Sequence, residues 1–172
     1  MHIDGFDITA PGFFDEPWSE AEALGSAVWL WLHSASHRDI PLHALNALLL
    51  PAISHRQFIL GRQNGRPVFY VAFSNLSLAA EARYLSQPAI CMPAADWNSG
   101  ERIWFNDWVA PFGHSVPVSR VLQRHFFANR CGRALYHRGE QRGLRIKKFQ
   151  GVAVMPAEAR AWFSDHPLAI QL

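Results

Sequence analysis

Two residues of this 172-residue chain have the types and setting to move a proton near neutral pH, His37 and Asp107. His37 follows a helix-like stretch and lies in a loop-like run, Ser36-His37-Arg38-Asp39. An imidazole titrates near neutrality and can take a proton from an attacking nucleophile. Asp107 interrupts an otherwise apolar run, Ile103-Trp104-Phe105-Asn106-Asp107-Trp108-Val109. Burying a carboxylate is costly unless it is paired or put to use. Such a group can orient an imidazole and stabilise the imidazolium that forms. Each residue keeps a plainer reading at this level. His37 is either a base or a surface loop histidine. Asp107 either orients a histidine or pairs structurally with an arginine such as Arg102. His33 and His37 are four apart, a metal-pair spacing on a helix. No carboxylate or third histidine follows at ligand spacing, so no metal site is expected. There is no GxSxG elbow, and neither Cys91 nor Cys131 has an evident activating partner.

Composition narrows the setting. About half the residues are apolar (49%), which predicts one folded domain rather than a disordered chain. No apolar run is long enough to span a membrane, and the N-terminus lacks a basic segment followed by an apolar one. Two cysteines without a CxxC pair predict packed, reduced thiols and a cytoplasmic protein. The net charge of +2 conceals an asymmetry. The first 22 residues carry six acids and no Lys or Arg, whereas residues 115–150 carry nine Lys and Arg against Glu140. Such a face either attracts an acidic partner or phosphate, or is simply solvated. An RNA-binding face needs aromatics interleaved with the basic residues, and Tyr136 and Phe149 are too few.

The elements that must position His37 and Asp107 follow from local signals. Residues 1–18 show no periodicity and predict a flexible arm, with a single domain over 19–172. Ser19 and Glu22 form a capping box before apolar residues at helical spacing, so a helix should end near 33–36. Pro41 opens a second helix that Pro51 terminates. Residues 57–62 and 67–74 read as strands around an Asn64-Gly65 turn. Ser77 caps a short helix through Tyr84. Residues 102–110 form a third strand, broken by Pro111-Phe112-Gly113. Residues 117–127 read as a helix, 133–137 and 144–149 as a hairpin, and 157–164 as a last helix. The order implies an α/β fold, a central mixed sheet with helices on both faces.

A longer pattern runs through these elements. Trp29-Leu30-Trp31, Ser36-His37-Arg38-Asp39 with Pro41, Pro51-Ala52-Ile53, Asn75-Leu76-Ser77-Leu78 with Glu81 and Tyr84-Leu85, and Asp96-Trp97 through Gly113 follow in order. Over roughly residues 24–113 the chain resembles the toxin-activating lysine acyltransferases that fatty-acylate RTX-type toxins. That family is a divergent relative of the acetyltransferase (GNAT) fold, so the resemblance implies a GNAT-like sheet. It places the catalytic histidine at His37 and the second essential residue at Asp107. It implies acyl carrier protein as donor, with no permanently bound cofactor, an RTX protoxin as acceptor, and a homodimer. The phosphate of the carrier's arm would meet the turn and helix start at Gly113 and Ser115. Arg120 and Arg124 would face the acidic carrier. A loop with one glycine argues against coenzyme A. Trp29, Trp31, Trp104 and Trp108 are expected in the core and along an acyl tunnel. The late aromatics Phe126, Phe127, Trp162 and Phe163 are the candidate dimer surface. One departure is Leu48, where the family often has asparagine; Asn46 lies two residues earlier. The rival function is a catalytically silent adaptor that binds carrier protein or protoxin. Direct acyl transfer with His37 as base is favoured over an acyl-enzyme on His37 or a nearby serine.

Overall fold

Two short turn signals organise the first half of the sheet. Asn64 (φ 53°) and Gly65 (φ 75°) both take the left-handed conformation that a two-residue hairpin requires. They join β3 (Phe58–Gln63) to β4 (Arg66–Leu76). Asp4 (φ 49°) and Gly5 (φ 85°) do the same between β1 (His2–Ile3) and β2 (Phe6–Thr9). A computed structural model of the chain describes residues 1–138 and 141–170, without the side chains of 136–138 and 141–144.

The N-terminal stretch therefore differs from the loose arm expected of it. Its Asp-Gly turn and the alternation Phe6-Asp7-Ile8-Thr9 are hairpin signals. Phe6 and Ile8 are buried, and β2 adds to β3 through Asp7↔Arg62 and Thr9↔Leu60.

The described strands form one sheet in the order β1 to β7, with β5 (Arg102–Val109), β6 (Cys131–Arg138) and β7 (Gln141–Gln150). Neighbours are antiparallel except β5 and β6, which run parallel and pair only over Ile103–Phe105. The expected hairpin is thus longer than 133–149, and its turn lies outside the described residues. Helices cover both faces. On one lie α1 (Glu20–Leu32), α2 (Leu45–Leu48), α3 (Leu50–Ser54) and α4 (Leu78–Ser86), packed over Phe58, Tyr70, Ala72 and Trp104. On the other, α5 (Ser115–Val121) buries Val118 and Val121 against Phe69, Val71, Phe73 and Phe105. After Val121 the helix widens to π geometry over Leu122–Phe126. A last helix, α6 (Pro156–Asp165), packs beside β6, where Arg133 lies 5.3 Å from the rings of both Trp162 and Phe163.

Pro51 does not end the second helix as expected. The chain breaks near Leu49, and Pro51 sits in the first turn of α3, where its missing N–H has no intrahelical partner to lose. Ser19 caps α1 by accepting from Glu22 N at 3.3 Å, and Ser77 caps α4 by accepting from Ala80 N at 3.2 Å. Both cysteines are free. Cys131 is buried, which pushes its thiol up, but Cys91 is exposed rather than packed. Phe126 and Phe127 belong to the core of the single chain, which removes them from the expected dimer surface. Trp162 and Phe163 are half-buried.

The face carrying α1 is locked by a buried carboxylate. Glu81, fully buried on α4, accepts from Trp104 Nε1 (2.8 Å), Arg102 Nη1 (2.7 Å), Arg133 Nη1 (3.3 Å) and Ala169 N (3.1 Å). Arg102 Nη1 also donates to Pro167 O at 2.7 Å, and Arg133 Nη2 to His166 O. One carboxylate thus ties α4, β5, β6 and the C-terminal segment together. Removing it leaves two buried guanidinium groups without their counter-charge. Glu81→Ala is expected to cost about 3–5 kcal/mol of unfolding free energy, read from the urea midpoint at constant m-value. A loss below about 1 kcal/mol would show that the cluster is solvated in solution.

Candidate active site

The site is assembled where the end of α1 crosses β5. Alternation along β5 is interrupted by one residue. Ala72 of β4 opposes Asp107 and Phe73 opposes Phe105, so Asn106 is an unmatched bulge residue. Before the bulge, Ile103 and Phe105 face the α5 side and Trp104 the α1 side; after it, Trp108 faces α5 and Val109 faces α1. Without the bulge Asp107 would share the side of Phe105. With it, Asp107 is turned under α1, the kind of re-aiming that bulges perform.

Two donors meet it there. Trp31, in the last turn of α1, donates from Nε1 to Asp107 Oδ2 at 2.8 Å. His37 donates from Nε2 to Asp107 Oδ1 at 3.0 Å. The loop that carries His37 is wound tightly. His33 caps α1, and Ser34 O accepts from both His37 N (3.0 Å) and Arg38 N (3.0 Å), turning the imidazole back toward the sheet. The His37 ring lies 5.3 Å from the Trp31 ring. With a proton on Nε2 for the carboxylate, the neutral ring presents its lone pair at Nδ1. Two hydroxyls reach that atom, Ser34 Oγ at 2.7 Å and Ser36 Oγ at 2.9 Å. The side chains of His37 and Asp107 are 18% and 10% exposed, enough for a substrate to reach the ring while the carboxylate stays largely dry.

Two buried phenols lie close enough to feel the Asp107 carboxylate. Burial raises the Tyr70 phenol well above its ordinary value, and the Asp107 charge adds to this. Burial also raises Tyr84, with the Asn106 amide pulling the other way and Asp107 reinforcing the rise. Both phenols therefore stay protonated near neutral pH.

The structure thus brings His37 and Asp107 together. The rival pairing of Asp107 with Arg102 does not form, since Arg102 is engaged by Glu81. His33 turns elsewhere: its Nδ1 meets Trp29 O at 2.8 Å and its ring lies tilted against Trp29, centroids 4.1 Å apart. Among the described residues no group of three or more His, Cys, Asp or Glu converges as metal ligands. Arg38 and Asp39 make an exposed 3.7 Å pair away from Asp107. Leu48 packs on the core, and Asn46 is exposed. Gly113 (φ 84°) ends the turn after β5 and Ser115 opens α5. Arg120 and Arg124 are exposed on the helix that covers the opposite face, so the sheet separates them from His37. Sequence reasoning missed Trp31 as a donor and Ser34 and Ser36 as neighbours of Nδ1. The i, i+3 spacing of Ser34 and His37 in a turn was the available signal for one of them.

A carboxylate fixing one imidazole nitrogen and leaving the other to take a proton is the arrangement of an acyl-transfer enzyme. Comparison with known proteins gives the class its family. The model of the RTX toxin acyltransferase family matches residues 16–150. The chain is 39% identical over 130 residues to the RTX-I toxin-activating lysine-acyltransferase of Actinobacillus pleuropneumoniae, covering 76% of this chain and 74% of that one. It is 36% identical over 145 residues to the leukotoxin-activating lysine-acyltransferase of Aggregatibacter actinomycetemcomitans, covering 84% and 85%. A protein-lysine palmitoyltransferase of Bordetella bronchiseptica is 36% identical over 148 residues, covering 84% and 78%. The chain belongs to the RTX toxin acyltransferase family.

Asp107→Asn keeps the shape but removes the charge that would stabilise an imidazolium. It is expected to lower the acylation rate by about 10²–10⁴-fold and to move Tm by less than about 4 °C. Thermal unfolding and single-turnover assays on one preparation check this. A large fall in Tm with full specific activity would make Asp107 a structural acid only.

Proposed function

We propose that this chain is a protein-lysine fatty acyltransferase that moves an acyl group from acyl carrier protein to internal lysines of an RTX protoxin. The observation that carries the reading is the Trp31–Asp107–His37 arrangement in a member of this family. A lysine amine, with an ordinary pKa near ~10.4, must lose a proton before it can attack a thioester. His37 Nδ1 takes that proton, with Asp107 supporting the imidazolium through Nε2. The neutral amine nitrogen bonds to the thioester carbonyl carbon, the tetrahedral intermediate gives its second N–H proton to solvent and collapses to the amide, and the C–S bond breaks as the carrier's thiolate leaves with the proton returned from His37. Ser34 and Ser36 occupy the Nδ1 side in the free enzyme, marking where the incoming amine would bind. The family's relation to acetyltransferases fits the limited pairing of β5 with β6: the two parallel strands stop pairing after Phe105, just before Asn106 and Asp107.

The test is a mass measurement. Co-expressed with its protoxin, the chain should add a fatty-acyl increment to lysine, and His37→Ala should lower this by about 10²–10⁴-fold. Near-normal acylation by folded His37→Ala would sink the assignment. The absence of any increment with the native chain would favour the adaptor reading.

The carrier's acidic surface is assigned to α5. Val116, Arg120 and Arg124, four apart, are all exposed and line one outward face. Such docking weakens with salt. Arg120→Glu with Arg124→Glu is expected to raise the apparent KM for acyl carrier protein and leave kcat within about two-fold. Steady-state kinetics at about 50 and about 300 mM salt, between which the Debye length falls from about 14 to about 6 Å, check this. An unchanged KM would move the docking face elsewhere.

A further inference from the structure

Gly113, Ser115, Arg120 and Arg124 leave out a cation that the fold places on the same rim. Arg66 opens β4 directly after the Asn64-Gly65 turn and is exposed. Its guanidinium lies 5.0 Å from the ring centroid of Trp29 and 4.6 Å from that of Phe112. The two rings are 5.7 Å apart, and His33 flanks both, at 4.1 Å and 5.5 Å. No hydrogen bond or ion pair among the described residues engages the Arg66 side chain. Arg62, four residues earlier, is by contrast satisfied by Thr9, Glu22 and Ser26.

Aromatic rings attract a guanidinium through its faces and leave the five N–H donors around its edge. A planar fork held in this way loses little freedom on binding and matches the oxygens of a phosphate. The place matters as much as the chemistry. Phe112 lies five residues after Asp107, a path of at most about 17 Å of extended chain. That is the length scale an extended pantetheine arm covers between its phosphate and its thiol. Arg66 also sits on the α1 side of the sheet with His37, which Arg120 and Arg124 do not.

We propose that Arg66, resting on the paired rings of Trp29 and Phe112, binds the phosphodiester of the donor's phosphopantetheine arm. The assignment rests on the acyl-transfer reading and adds the group that would anchor the arm. Its test compares three donors: acyl carrier protein, free acyl-phosphopantetheine, and acyl-pantetheine, which lacks the phosphate. Arg66→Gln is expected to raise KM for the two phosphorylated donors by about ten-fold or more and to leave KM for acyl-pantetheine unchanged. Arg66→Lys keeps the charge without the fork and should fall between. Calorimetric titration with a non-reactive S-alkyl phosphopantetheine should show the same weakening without turnover. Equal loss with all three donors would make Arg66 a structural latch on the Phe112 turn and overturn the proposal. So would an unchanged KM for both phosphorylated donors. A rise with carrier protein alone would place the anion on the carrier's acidic surface instead of the phosphate. If the native chain moves no acyl group from any donor, the acyl-transfer reading fails, and the calorimetric comparison still decides the Arg66 site.

Discussion

The carboxylate of Asp107 is the constraint around which the α1 side of the sheet is arranged. Its side chain is only 10% exposed, and a charge in so dry a place must be met by donors. Two elements far apart in sequence supply them, Trp31 from the last turn of α1 and His37 from the loop beyond it. The helix end, the tight Ser34 turn and the β5 bulge all have to coincide for both bonds to form. The loop conformation is thus tied to the geometry of the His37–Asp107 pair. A histidine on a freely moving loop would have to be ordered in each encounter, and much of that entropic cost is met on folding.

A second carboxylate on the same face shows what makes Asp107 a chemical group. Glu81 also accepts from an indole N–H, that of Trp104, and is also met by cations. Its partners, Arg102 and Arg133, are arginines that stay charged across the working pH range. Glu81 itself is fully buried. No substrate can touch it there, and the cluster acts as a fastening. Asp107 has a histidine in place of the arginines, at 18% exposure. The partner can therefore be reached from solvent. Indole and carboxylate are common to both clusters; the accessible histidine in place of buried arginines is what distinguishes the Asp107 cluster and supports the proposed catalytic role.

Most of the elements were legible in the sequence because their signals are local. Ser19, Ser77 and Asn64-Gly65 act within four residues of themselves, and the structure places caps and a turn at each. The N-terminal hairpin was equally local, through Asp4-Gly5 and the Phe6/Ile8 alternation, but acidic and Pro-rich surroundings masked it. Pro51 was ambiguous because proline both follows and opens helices. The bulge at Asn106 was not legible at all. Period-two alternation puts Asp107 on the face of Phe105, and only the pairing with β4 reveals the extra residue. Arg66 was invisible for a related reason. Its partners Trp29 and Phe112 are 37 residues before it and 46 after it, and nothing near Arg66 announces either. The resemblance supplied His37 and Asp107 as a pair where spacing alone left both with plainer readings.

The distribution of cations follows from the same two-faced sheet. The basic C-terminal region looked in the sequence like one patch, but the fold divides it by function. Arg133 is buried under Glu81 and its charge is neutralised, burial pulling its guanidinium down while Glu81 pulls it up. Lys148 lies over the Phe163 ring at 4.7 Å. Arg120 and Arg124 remain exposed on the α5 face, where they act at long range on whatever charge approaches. Arg120 and Arg124 do not reach the α1 face, where Asp107 and His37 lie, and Arg133, which does, is taken up by Glu81. For the proposed donor, an acidic body with a phosphorylated arm, positive charge on both sides of the Pro111-Phe112-Gly113 turn would let one set gather the body and the other guide the arm. On the α1 side the described exposed cation nearest that turn by contact is Arg66, held there by Phe112 itself. The turn therefore joins the two charges as well as the two faces, and Gly113, with its φ of 84°, gives the backbone the left-handed step that leads from β5 across to α5.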